Sequence, residues 1–260
     1  MCRTISFFHN PNTGAIKVWD LSGHSETEEH LKLDGKYWRE GHYLPDEKVE
    51  CRVLETDKYD QKFCNERLKA EFPTFVSFLN YCLKQLKYKV GGYLDLSHTK
   101  ITSLPDNLKV GGYLDLSHTK ITSLPDNLKV GRGLYLSNTK ITSLPNNLKV
   151  GGYLNLYNTN IKSLPDNLKV AGDLNLSHTK ITLLPNNLKV AGNLNLYNTK
   201  ITSLPDNFIV GGNLDLSNTK IKSLPDNLNV GFDLYLSNTK ITSLPANLTV
   251  GGKIVGGKIR

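Results

Sequence analysis

The chain has 260 residues, a formal net charge of +8, 38% hydrophobic residues, four cysteines and 21 glycines. No stretch approaches the roughly 18 consecutive apolar residues that a membrane-spanning helix needs. The charge is uneven: residues 1–89 hold 14 basic and 14 acidic side chains, whereas from Val90 onward 18 basic residues stand against 10 acidic ones, so any anion-attracting surface belongs to the second part.

Thr4 to Phe8 and Ala15 to Asp20 read as two strands around the turn-rich HNPNTG, which predicts a hairpin. Ser25 and Glu28 fit a capping box, so a short helix is expected from about Glu26 to Leu33. Tyr37 to Tyr43 and Val49 to Glu55 alternate as a second hairpin around Pro45 and Asp46. Asp60 can cap a helix to Phe72, where Pro73 interrupts it. A second helix is expected from Thr74 to Tyr88, with Phe75, Phe78, Leu79, Cys82 and Leu86 on one apolar face. The domain expectation is therefore a small α/β domain over 1–59 and a helical N-terminal cap over 60–89.

Cys2, Cys51, Cys64 and Cys82 form no CxxC pair and no CxnH zinc spacing, so no metal or cofactor is expected and free thiols are the reading. His9, His24, His30 and His42 could in principle serve one of these cysteines as a base. Sequence spacing supplies neither the geometry nor the thiolate, and no catalytic residue is assigned. An enzymatic N-terminal domain targeted by the second part is the lesser alternative. MCRTISFFHNPN holds no apolar run long enough for a secretory leader, so a cytoplasmic location is expected, with non-Sec delivery into a host cell as the alternative.

From Val90 to Thr249 one 20-residue unit occurs eight times, as in VGGYLDLSHTKITSLPDNLK at Val110 to Lys129. A fixed period of this length is the signature of a solenoid, whose units bury their apolar side by stacking on one another. Leu114 and Leu116 alternate with polar residues as a strand with one buried face. Ile121, Leu124, Leu128 and Val130 complete about six inward side chains per coil, and the strands should pair in parallel at about 4.8 Å per repeat. The unbroken Thr column, Thr99 to Thr239, predicts a buried hydroxyl ladder where each coil turns. The Asn column, Asn107 to Asn247, predicts side chains bonding their own backbone in a turn. Gly112 and its equivalents allow close backbone approach, with Arg132 and Phe232 as departures.

The pattern L-x-L-x-x-[NTC]-x-[LI]-x-x-L-P, present as LDLSHTKITSLP, resembles the leucine-rich repeat family. The 20-residue period is similar to the short repeats of type III-secreted effectors from enteric pathogens and to bacterial or phage repeat proteins. Thr replaces the usual ladder Asn, and Gly111 stands where the motif's first leucine would be. The resemblance implies an α/β fold: a leucine-rich-repeat solenoid with a parallel β-sheet on one face, preceded by the small α/β domain and its capping helix. It also implies that residues flanking the strand leucines lie on a concave face.

Those flanking columns are where the units differ most. They carry Tyr93, Tyr113, Tyr153, Asp173 and Asp233, with Gly133, Asn193 and Asn213; then Asp95, Asp115, Tyr135, Asn155, Asn175, Asn195, Asp215 and Tyr235; then Ser, except at Tyr157 and Tyr197. Tyrosines among Asn, Asp and Ser resemble the composition of a binding paratope, so the leading expectation is protein recognition on this face, without enzymatic activity. The alternative partner is nucleic acid or another anionic polymer along Lys100, Lys120, Lys140, Lys180, Lys200, Lys220 and Lys240, with a partial second row from Lys109 to Lys189. A third class, ice or mineral binding by Thr rows that include Thr102, is disfavoured because Ile101 separates Thr99 from Thr102. The closing VGGKIVGGKIR, within residues 250–260, is expected to begin a ninth repeat or act as a minimal cap; an open edge there predicts self-association.

Overall fold

The structure, a computed structural model, describes residues 5–9, 16–18, 39–43 and 49–53, residues 77 and 83, and residues 88–257. Strands β1 (Ile5–His9), β2 (Ile16–Val18), β3 (Arg39–Tyr43) and β4 (Val49–Val53) form an antiparallel sheet in the order β2-β1-β3-β4. The two alternating pairs thus form as hairpins, and β1 joins them by pairing with β3 from Ile5↔Tyr43 to His9↔Arg39. The helices expected over 26–33 and 60–72, and most of that over 74–88, lie outside the described residues. Leu83 is helical, and its buried side chain belongs to the same apolar cluster as the repeats.

Each repeat forms one coil. Leu94, Leu96, Ile101, Leu104, Leu108 and Val110 are all buried; the next six coils repeat the set, with Phe208 for one leucine, and in the last of the eight Leu244, Leu248 and Val250 are partly buried. Every such side chain contributes about 1.5–3 kcal/mol relative to leaving it exposed. The coils stack into two parallel sheets rather than the single one expected. One consists of the leucine strands, Leu94–Asp95 through Ile254–Val255, and the other of two-residue strands from Lys89–Val90 through Thr249–Val250, nine strands in each. The second sheet follows from the same physics: Leu108 and Val110 point inward while Lys109 points out, a period of two too short to stand out in sequence. Residues 249–255 continue both sheets as a ninth coil.

The corners explain three columns. At the turn after the leucine strand, His98, His118, Asn138, Asn158, His178, Asn198, Asn218 and Asn238 all have φ between 52° and 60°, a left-handed conformation in which Asn and His are enriched. The threonine that follows is held within its own coil: its hydroxyl donates to the carbonyl of the leucine three residues earlier, at 2.6–2.8 Å in all eight units. The expected ladder of threonines between coils is therefore corrected to a bond inside each coil. The Pro-x-Asn-Leu turn is closed by backbone, as in Leu128 N–H donating to the Pro125 carbonyl at 3.2 Å. Its asparagines serve the turn by tolerating positive φ at Asn107, Asn207 and Asn227, and Asn227 reaches Asn207 at 3.1 Å. Thr99 is buried while Thr102 is exposed, so the two rows do not share an outer plane.

Candidate functional site

The first two columns flanking the strand leucines lie on the outward side of the leucine-strand sheet beside the buried Leu94 and Leu96 rows, mostly part-exposed; in the third, Ser97, Ser117, Ser177 and Ser217 are buried while Tyr157 and Tyr197 are exposed. Parallel pairing in register, Leu114↔Leu134 and Asp115↔Tyr135 for example, places equivalent side chains directly above one another. Side chains of neighbouring coils therefore meet, and what they do depends on their type.

Tyrosines of the first four coils form one continuous row. Tyr93 meets Tyr113 edge-on with ring centroids 6.3 Å apart, Tyr113 lies 6.2 Å from Tyr135, and Tyr135 lies 5.4 Å from Tyr153, spacings at which aromatic pairs attract. The row crosses from the first flanking column to the second at Tyr135 and back again. Gly133 makes that crossing possible: a Cβ there would come within 2.8 Å of Tyr113 Cδ1 and 3.4 Å of Tyr135 Cε2. Arg132 places its guanidinium 5.9 Å from the Tyr113 ring centre, within cation–π range. The paired departures Arg132 and Gly133 thus both serve the row.

Burial first, and then the carboxylates of Asp95 and Asp115, push the Tyr93 phenol up to about 12. Burial and the neighbouring Tyr113 and Tyr153 raise Tyr135 as well. Tyr235 stands apart in the eighth coil, where its hydroxyl donates to Asp233 at 3.2 Å and is raised by that bond. A second aromatic run joins the third column to the corner beside it, with the corner residue His178 between Tyr157 at 5.2 Å and Tyr197 at 5.4 Å. Sequence reasoning passed over His178. The restriction of its column to His and Asn was the available signal.

The aspartates and asparagines do something else. In the second column, Asp95, Asp115, Asn155, Asn175, Asn195 and Asp215 each accept the backbone N–H two residues on, at 2.8–3.0 Å. These are Asx-type turns that set up the left-handed corner. In the first column, Asp173, Asn193, Asn213 and Asp233 each accept the N–H of the equivalent residue in the next coil, at 2.7–2.8 Å. They stitch coils five to nine together where coils one to four carry tyrosine or glycine.

Lys100, Lys120, Lys140, Lys180, Lys200, Lys220 and Lys240 are all exposed, and the row breaks at Asn160. In the other sheet Lys89, Lys109, Lys129 and Lys149 stand in register on successive strands, as do Lys169 and Lys189. Among the described residues no cluster of His, Cys, Asp or Glu could hold a metal ion.

A 20-residue unit with leucines at fixed places, wound one coil per unit into stacked parallel strands, is a parallel β-solenoid of the kind that leucine-rich repeats form. No family model matches the chain, and no curated protein matches it in sequence. Among solved structures it is similar to YopM from Yersinia enterocolitica WA-314, with 20% identity and a TM-score of 0.45 over 78% of this chain and 44% of that one. The chain spans less than half the length of that protein.

Proposed function

We propose that the chain is a non-enzymatic scaffold that recognises a protein partner through the outward face of the leucine-strand sheet. The row Tyr93, Tyr113, Tyr135 and Tyr153 carries this reading. Aromatic rings stacked on a rigid sheet offer large contact area at low entropic cost, because their rotamers are already restrained by one another. Tyr157, Tyr197 and His178 extend the contact surface into coils four to six, and Tyr235 with Asp233 forms its far limit. Asp95, Asp115, Asn175, Asn195, Asp173 and Asp215 act mainly by holding the face in shape, and they offer their remaining acceptor capacity to a partner. The continuous row of four tyrosines supports recognition.

Replacing Tyr113, Tyr135 and Tyr153 together by Ala is expected to abolish capture of the partner from native-host lysate while leaving the circular dichroism spectrum unchanged; retained capture would sink the reading. The register of Lys89, Lys109, Lys129 and Lys149 favours a second reading, an anionic polymer laid along the lysines. That reading requires retention on heparin that falls steeply with salt, and no retention at low salt removes it. Cytoplasmic residence is part of the proposal; among the described residues no helix is long and apolar enough to cross a membrane.

A further inference from the structure

The geometry points to a small-molecule site in the lysine-bearing sheet: a pocket of about 570 Å³ between coils four and six that takes a ligand with an apolar chain and a carboxylate head. It is independent of the tyrosine face. The pocket arises from departures in the repeat that gather at one place. At Gly111, Gly131, Gly151, Gly211, Gly231 and Gly251 an added Cβ would overlap the backbone of the preceding coil. In coils five and six the same column holds Ala171 and Ala191, whose methyl groups are real.

The backbone bonds between coils lengthen slightly there. The glycine-column N–H bonds to the preceding coil measure 2.7–2.9 Å at Gly111, Gly131, Gly151, Gly231 and Gly251, but 3.2 Å at Ala191 and 3.1 Å at the next position, Gly211. On either side of the pocket the pairing is reduced: Val150 with Val170, and Val190 with Val210, keep only the valine partners, while the central step keeps both Lys169↔Lys189 and Val170↔Val190.

Two further departures line the pocket: Phe208 where the other units have leucine, and Ile209 where six of the preceding strands have lysine. With Ala171 and Ala191 they make an apolar wall, and the Ile209 side chain stays 61% exposed at its mouth. Lys169 and Lys189 stand at the rim, and no acidic side chain lines the pocket; the turn position that is Asp in five of the eight units is Asn186 here. An apolar cleft of this size with a few convergent polar groups has the form of a ligand site. Two ammonium groups at a rim with no acidic lining residue favour an anionic head, and a carboxylate satisfies them by charge-assisted hydrogen bonds.

Calorimetric titration of the full chain with decanoate and with decanol tests the assignment. Saturable one-site binding of decanoate is expected. Lys169→Ala with Lys189→Ala should weaken decanoate about tenfold or more, a loss of about 1.4 kcal/mol, and leave decanol unaffected. Ala171→Gly with Ala191→Gly restores the majority residue, so it should keep the circular dichroism spectrum and lose binding of both. Methyl NMR of the unmodified chain gives a readout that needs no variant: decanoate should shift the Ala171 and Ala191 resonances. Absence of saturable decanoate binding, undiminished binding by the glycine variant, or shifts confined to other methyls would each overturn the assignment.

Discussion

One carbonyl accounts for the threonine in every coil. The leucine that ends the strand turns its carbonyl into the corner, and the Thr hydroxyl three residues later donates to it inside the core. Valine fills the same space without the hydroxyl, so Thr179→Val should destabilise the chain by about 1 kcal/mol in denaturant unfolding; an unchanged midpoint would show the bond to be dispensable. The Thr column was legible in sequence as buried and hydrogen-bonded, but its partner was not, since a hydroxyl has several carbonyls within reach until the corner is known. Asp and Asn were legible only as variable. Their bonds to backbone show that much of that variation is two ways of meeting one backbone demand.

Tyr93 titrates in a way that tests its surroundings. Its folded pKa, about 12, lies above the ordinary tyrosine value of 10.0. Sign follows from linkage: the neutral phenol is favoured by the fold, so the stabilisation it reports is fully present below about pH 10 and is lost as pH rises towards 12. Ultraviolet titration of phenolate should show Tyr93→Phe deleting the late-ionising component. Asp115→Asn should move that component down, because the carboxylate raises the phenol.

At the scale of the element, the leucine strands were readable because Leu-x-Leu declares its period, whereas the lysine-bearing strands, equally two residues long, lie between the Pro-x-Asn turn and the glycines, which hide theirs. The hairpins of the first 53 residues were readable for the same reason as the leucine strands. The tyrosine row was not, because it switches columns at Gly133 and Tyr135, and only the stacked register shows that the rings stay in contact. Gly133→Val should therefore displace Tyr113 and weaken partner binding about tenfold or more. Unfolding should change little, since the added side chain meets the Tyr113 ring rather than the leucine core; undiminished binding by a folded variant would contradict this account of the glycine.

For the whole molecule, quasi-one-dimensional stacking makes coils separable. Residues 90–109 and 110–129 are identical, so deleting 110–129 should leave one cooperative unfolding transition at lower denaturant concentration, measured by circular dichroism. On the last described strand Ile254 and Val255 are 37% and 38% exposed, an apolar edge that suits pairing with another strand. Light scattering over rising concentration should show mass above the 29.0 kDa of one chain if that edge pairs, and a constant monomer mass would reject it.

The tyrosine row is the centre of the functional account, and calorimetry of the captured partner against single Tyr→Ala variants along it tests that most directly. Affinity should fall by about thirtyfold at Tyr113 and Tyr135, the centre of the row, equivalent to about 2 kcal/mol each. The loss should be smaller at Tyr93 and Tyr153, with the lysine rows indifferent. Unchanged affinity across the four tyrosines, with loss on replacing Lys109, Lys129 and Lys149, would contradict it.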